Sequence, residues 1–416
     1  MAVLSCLFAA LAMGVTACGG DDDEEGGGGG GAEAGSTLNV YSSLPLQGAS
    51  RPQTTAMVQG IELALDQAKN KAGDFNIKYE SLDDSTAQAG TWTPERASAN
   101  ARKVAQDDNA IAYIGEFNSG ASAISMPILN EGNVPQISPA NTAVGLTSDE
   151  PGADKGEPDK YYPTGNRHYV RIVPKDTIQG AALATLMTQD DCTSAFILHD
   201  KEVYGAGLAR NIEASAKEQG LEVAGNEGID PKAPNFRSVA SNIESEGADC
   251  FVFSGITANG AVQLFKDVAA AVPDAKLYGP DGVAESGFAD PKEGGIPPAV
   301  QARTKVSVAT LAPEEYPEVG KKFFADFEAK YNEPNPDPYA VYGYEAMKLV
   351  LDTAGTLDSG DKQAMIDALF NVKGRESALG TYDIDENGDT TLTDYGIYAI
   401  KGGELEFDET IKAEGG

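Results

Sequence analysis

The sequence predicts an α/β protein made of two doubly wound, parallel-sheet lobes facing each other across a cleft. Three observations predict it. Short β-rich runs alternate with helical stretches along the body of the chain. The β-rich runs are mostly continuous in apolar residues, which suits parallel strands covered by helices on both sides. The strand-to-helix series runs twice, over about 37–170 and again over about 173–305, in a chain of 416 residues, too long for one ordinary domain.

Residues 1–17 carry no charged side chain, and the apolar run from Leu7 to Val15 is too short to cross a bilayer as a helix. It reads as the apolar region of a secretory signal. The small residues Val15-Thr16-Ala17 lead into Cys18, a pattern that resembles the bacterial lipobox, in which the cysteine accepts lipid and becomes the new N-terminus. No Lys or Arg precedes the apolar run, which departs from that pattern. Residues 18–36 follow with Asp21-Asp22-Asp23-Glu24-Glu25 and the glycines 26–31, a stretch with nothing to bury, read as a tether. The reading is thus a signal peptide over 1–17, lipidation at Cys18, a tether over 18–36, and an extracytoplasmic body held at the membrane.

The net charge is -33, from 64 acidic and 31 basic residues. This argues against nucleic acid and anionic membrane surfaces as partners. The acidity is spread along the chain and reads as solvated surface.

Strands are predicted at 38–43, 76–82, 110–115, 134–138, 194–199, 221–224, 251–254, 276–279 and 305–309. Helices are predicted at 54–68, 95–106, 177–188, 207–219, 260–271, 317–331 and 339–354. In the first helix Met57, Ile61, Leu65 and Ala68 line one face. Arg171 to Asp176 lies between the two strand-to-helix series and marks a crossing from one lobe to the other. In open α/β sheets ligands lie at the carboxyl ends of strands, so function is sought on the loops that follow them.

Of the four cysteines, Cys6 leaves with the signal and Cys18 takes lipid. Cys192 and Cys250 each precede a β-like run. If those strands are parallel neighbours, both fall at one sheet edge, and an oxidising compartment permits a disulfide. Two buried free thiols are the alternative.

The loops after strands carry a family likeness. Ser42-Ser-Leu-Pro-Leu-Gln-Gly48, Gly60-Ile-Glu-Leu-Ala64, Leu82-Asp-Asp-Ser85, Ile114-Gly-Glu-Phe-Asn-Ser-Gly120, Val134-Pro-Gln-Ile-Ser-Pro-Ala-Asn-Thr142, His199-Asp-Lys-Glu-Val-Tyr-Gly205 and Gly279-Pro-Asp-Gly282 occur in order. Together they resemble the type I periplasmic binding proteins, in particular the branched-chain amino-acid receptors of ABC importers, from Thr37 to about Ile411. The resemblance implies three crossovers. Lobe one is then 37–171 with 309–380, and lobe two 172–308 with 381–412, joined by a hinge that closes on ligand. It also implies a small amino-acid-like ligand, delivery to a membrane permease, a monomer, no cofactor and no catalysis.

A free amino acid presents a carboxylate beside an ammonium, so its site needs donors beside an anion. Ser119 follows a strand and opens a helix, where unpaired N–H groups and the positive helix end favour a carboxylate. A plain helix cap is its alternative role. Thr142 adds a hydroxyl, and Ala140 offers a carbonyl to the ammonium. Asp281 matches the family's acidic residue facing the ammonium, although Gly-Pro-Asp-Gly is also a good turn. Tyr204 matches a tyrosine that folds over the ligand. Phe117 and Asn118 match pocket-lining positions. Tyr339 and Tyr342 form either an aromatic wall or core packing. Gln53 and Thr257 stand near positions where the branched-chain receptors tend to be aromatic, and Arg51 and Asn118 are more polar than a leucine pocket requires. The ligand is therefore a branched-chain amino acid or another small polar solute.

Other chemistry is weaker. Asp383 to Asp394 mimics a calcium loop, but strand-like residues flank it, and a hairpin around Asn387-Gly388 is simpler. The two histidines, His168 and His199, have no nucleophile elbow nearby in sequence, and the cysteines lack zinc-ligand spacing, so neither an enzyme nor a metal site is expected. A ligand-sensing receptor without transport is the other functional class, and a cleft enzyme the least favoured.

Overall fold

The structure is a computed structural model that describes residues 32–413 apart from 34. The signal region, Cys18 and nearly all of the tether lie outside the described residues. No described helix is long and apolar enough to cross a membrane.

The chain opens with β1 (Thr37–Leu44), α1 (Arg51–Gln67), β2 (Lys71–Ala72) and β3 (Phe75–Asp83). A small ladder, β4 (Ser85–Thr86) with β5 (Thr91–Trp92), precedes α2 (Pro94–Ala105). Next come β6 (Ala110–Gly115), α3 (Ser119–Glu131), β7 (Gln136–Ser138) and β8 (Tyr169–Arg171). These strands form one sheet in the order β2-β3-β1-β6-β7-β8, parallel except for β2. Strands such as β6, buried at every position, explain why the sequence shows unbroken apolar runs.

From Asp176 the chain builds a second sheet. Its elements are α4 (Asp176–Gln189), β9 (Ser194–His199), α5 (Val203–Glu218), β10 (Glu222–Gly228), α6 (Arg237–Glu246), β11 (Cys250–Ser254), α7 (Ala261–Ala271) and β12 (Lys276–Gly279). Two short helices, α8 (Ser286–Ala289) and α9 (Pro298–Gln301), lead to β13 (Thr304–Val308). The chain then returns to the first sheet. There α10 (Glu318–Tyr331) and α11 (Ala340–Ala354) pack, α11 lying along α1, and α12 (Lys362–Phe370) touches β6. After the small ladder of β14 (Arg375–Glu376) with β15 (Thr381–Tyr382), the hairpin of β16 (Asp394–Lys401) and β17 (Glu404–Lys412) closes the second sheet. Its order is β10-β9-β11-β12-β13-β16-β17, parallel up to the antiparallel β16 and β17.

The long α1–α11 contact depends on two missing side chains. A Cβ on Gly60 would stand 2.3 Å from the Ala340 carbonyl oxygen, and one on Gly343 would stand 2.2 Å from that of Met57. Each helix thus carries a glycine where the other backbone approaches. An alanine at either site would push the helices apart and loosen the apolar stripe of Met57, Ile61 and Ala64, all fully buried.

Cys192 and Cys250 are joined by a disulfide with Cα atoms 5.9 Å apart, at the edge where β9 and β11 begin. In the chain-entropy model a loop of this length contributes about 4 kcal/mol.

Several boundaries differ from those the sequence predicts. Helix α5 begins at Val203, so Tyr204 sits in the first helical turn and not in a preceding loop. There the Gly205 carbonyl accepts a hydrogen bond from Ser254 Oγ at 2.8 Å, tying the helix start to the second sheet. Helix α6 lies outside the predicted set because only Ala240 and Ile243 of its ten residues are buried, too weak an apolar stripe to read. The segment resembling a calcium loop is a tight turn, with an isolated bridge between Ile384 and Thr390 and Asp385 N–H donating to the Asp389 carbonyl at 2.9 Å.

Candidate functional site

A cavity lies where the carboxyl ends of the two sheets meet, with about 30 Å³ of space open to water. From the first sheet Phe117 to Gly120 and the residues Ala140 and Thr142 line it; from the second come Glu202, Tyr204, Ile256, Asp281 and Gly282. Trp92 of β5 completes the lining.

On the first sheet, two loops hold the polar groups in place. Ser138 Oγ donates to the Glu116 carbonyl at 3.0 Å and accepts from the N–H groups of Ala140 and Asn141. Asn141 Nδ2 donates to the Phe117 carbonyl at 2.9 Å. The helix cap falls on Asn118, so Ser119 is the first residue of α3, and Ser119 Oγ accepts from Ala143 N–H at 3.4 Å. Two buried oxygens here have no protein partner, Thr142 Oγ1 and Asn118 Oδ1. A hydroxyl without a partner beside a helix N-terminus is a ready donor for an anion.

This wall is braced from behind. The Arg171 guanidinium donates to the carbonyls of Asn141 at 3.1 Å and Ala143 at 2.8 Å, on either side of Thr142. Its Nε pairs with Asp389 Oδ1 at 2.7 Å, and the arginine is fully buried. The Asp389 carboxyl, which the sequence places in a calcium-like loop, is therefore occupied by an arginine. Arg171 and Lys175 together hold its pKa below the usual range despite burial.

On the second sheet Asp281 opens the turn after β12. Its Oδ1 accepts from Tyr204 Oη at 2.6 Å and Gln179 Nε2 at 2.8 Å, and its Oδ2 from Tyr339 Oη at 2.8 Å. All three donors are neutral. Burial raises the pKa of Asp281, and the three hydrogen bonds oppose that rise only in part. Asp176, at the start of α4, is fully buried; burial and the nearby Asp281 push its pKa well up, and the Thr142 hydroxyl beside it opposes the rise only in part. The cavity lining thus includes two carboxylates, Glu202 and Asp281, and no lysine or arginine.

The structure brings Phe117, Asn118, Ser119, Ala140, Thr142, Tyr204 and Asp281 to one cavity. Tyr339 stands behind Asp281 and meets Phe117 edge-on, with ring centroids 6.2 Å apart. Tyr342 is turned away and donates to the Ala309 carbonyl, a packing role. Arg51 is exposed, whereas Gln53 and Thr257 are buried. Sequence reasoning missed Trp92, Glu202, Ile256 and Gln179. Trp92 is the single tryptophan of the chain, which was a usable signal. Its ring lies where a Cβ on Gly120 would stand, 2.7 Å away, so the glycine makes room for it.

The family model of the periplasmic binding proteins matches residues 42–404. The chain belongs to the periplasmic binding protein family. As a member it is an extracytoplasmic solute-binding protein and not an enzyme. Among curated relatives of this periplasmic binding protein, a leucine-, isoleucine-, valine-, threonine- and alanine-binding protein of Pseudomonas aeruginosa is 25% identical over 382 residues, covering 88% of this chain and 90% of the relative. The Leu/Ile/Val-binding protein BraC3 of Rhizobium johnstonii is 27% identical over 374 residues, covering 87% and 91%. Among solved structures, the leucine binding protein LivK of Thermotoga maritima superposes with a TM-score of 0.77 at 21% identity, covering 90% of this chain and 99% of that one. That likeness carries the two-lobed α/β fold.

Proposed function

We propose that this periplasmic binding protein captures an amino acid, or a closely related small polar solute, in the cleft and delivers it to an ABC permease. The observation that carries the reading is the pairing of two unlike walls. One offers the hydroxyls of Ser119, at the start of α3, and of Thr142, in the loop after β7. The other offers the Asp281 carboxyl. A free amino acid has an anionic and a cationic end at that separation of roles, its carboxylate suited to the helix start and its ammonium to Asp281 and the Ala140 carbonyl. The names of the relatives support an amino-acid ligand.

In this reading lobe one is 37–171 with 309–380 and lobe two 172–308 with 381–412. Ligand contacts to both lobes favour the closed form. Tyr339 takes part by fixing Asp281, and Phe117 and Asn118 shape the floor. A lipid on Cys18 keeps the monomeric protein at the membrane beside its permease.

Titration calorimetry against amino acids and small polar metabolites tests the reading. A cognate ligand binds with one site per chain, and Asp281→Ala lowers its affinity by about 1.5–3 kcal/mol, the scale of a charged hydrogen bond. Unchanged affinity removes Asp281 from the site. Small-angle scattering that gives one shape with and without a saturating ligand counts against closure. Mass analysis of the protein from its native membrane checks for a lipidated Cys18.

A further inference from the structure

Besides Thr142, Asn118 and Asp176, two buried side chains outside the cavity lining have unmet hydrogen-bonding capacity. Gln53, in the first turn of α1, is fully buried, and neither its amide oxygen nor its amide nitrogen has a partner. Glu285, three residues beyond Gly282, is 3% exposed, and its Oε2 has no partner. Buried polar atoms are almost always paired, so each of these groups calls for an explanation.

They stand on facing elements. Gln53 is one helical turn from Ser50. The hydroxyls of Ser50, before α1, and of Thr257, after β11, both stand beside the Glu285 carboxyl. Thr257 Oγ1 in turn reaches the Gly282 carbonyl at 3.4 Å, and Gly282 and Ile256 line the cavity. The patch therefore adjoins the Ile256–Gly282 wall and is built from both sides of the cleft.

A zwitterion with an aliphatic side chain brings one positive and one negative charge and nothing for these two groups. It would leave Glu285 Oε2 and the buried Gln53 amide unmet, which disfavours binding. A side chain ending in N–H donors meets the acceptor atoms of both, and one that also carries an acceptor meets the Gln53 amide nitrogen. The Glu285 carboxyl and the Gln53 amide oxygen are acceptors. The lining carboxylates Glu202 and Asp281, with no lysine or arginine among the lining residues, add to the preference for positive charge.

We infer that the ligand is an amino acid whose side chain ends in nitrogen donors, basic or amide, and that Glu285 and Gln53 read that end. The inference rests on the amino-acid reading above and narrows it. It also separates this chain from relatives named for leucine, isoleucine and valine.

Titration calorimetry of the full chain in detergent at pH 7.5, with lysine, arginine, glutamine and leucine, tests it. At least one of the three nitrogen-bearing ligands should bind about tenfold or more tighter than leucine. In Glu285→Gln and in Gln53→Leu that preference should fall about fivefold or more. The wild-type panel decides alone if a variant fails to fold. Leucine binding at least as tightly as all three, or a preference that both folded variants retain, overturns the inference and leaves the amino-acid reading standing. If no α-amino acid binds, that reading falls and this one falls with it.

Discussion

Asp389 and Asp281 are both buried aspartates near the meeting of the two sheets, and they are treated in opposite ways. Asp389 faces Arg171 at 2.7 Å, with Lys175 at 3.5 Å, and its pKa is held down. Asp281 faces two tyrosines and a glutamine, and its pKa is raised. The first charge is matched within the chain. The second is hydrogen-bonded but has no counter-charge. The difference separates a group that holds the fold together from one that, in the proposed function, meets the charge of a ligand.

The comparison breaks most visibly at Arg171. Arg171→Met leaves Asp389 buried without its main partner and frees the loop around Thr142. Urea unfolding should show a loss of about 3–5 kcal/mol. Adding Asp389→Leu should recover much of it, since the uncompensated charge goes too. At Asp281 the same measurements should invert. Asp281→Asn keeps the shape and loses at least one accepted hydrogen bond, so stability should fall by only about 1–1.5 kcal/mol while ligand affinity falls by about 1.5–3 kcal/mol. Equal effects on stability at the two aspartates would erase the distinction.

The two kinds of carboxyl also act in different pH windows. Burial raises Glu285 from 4.5 to about 7 and Asp337 from 3.8 to about 6. Each binds more protons folded than unfolded between its two values. Their contribution is therefore full below the unfolded values and is lost as pH rises through the folded ones. Thermal melts of the ligand-free protein should show stability falling by about 4 kcal/mol from pH 5 to pH 8. Glu285→Gln should flatten that slope. Asp389 has the opposite sign: its contribution is present above its unfolded value and is lost as pH falls through its lowered folded pKa, so it appears only at the acid edge. The smallest effect is expected from Tyr339→Phe, which removes one of the three donors to Asp281 and should cost about 1 kcal/mol of stability.

The sequence revealed one half of this contrast and hid the other. Ser119, Thr142 and Asp281 each follow a strand, and loops at the carboxyl ends of parallel strands are where ligands sit. Local order along the chain was enough to nominate them. The Arg171–Asp389 pair spans 218 positions. Read locally, Asp389 belongs to an acidic turn that looks like a cation loop, and Arg171 to a passage between lobes. Nothing near either residue names the other. Gln179 was hidden for a similar reason, because it sits on α4, whose first eleven residues Asp176–Leu186 are buried apart from Thr185, where no periodicity marks one side as special. Gln53 and Thr257 stood out as more polar than an apolar pocket needs, but Glu285 emerged only once the facing elements were in place.

The α1–α11 contact has one more consequence, for how the chain is made. Helix α1 ends at Gln67 and its partner begins at Ala340, while β13 ends at Val308 and waits for β16 at Asp394. A ribosome must therefore deliver most of the polypeptide before either half has its full complement of neighbours. Such late closure slows folding. The delay leaves the apolar face of α1 without its partner until Ala340 has been made.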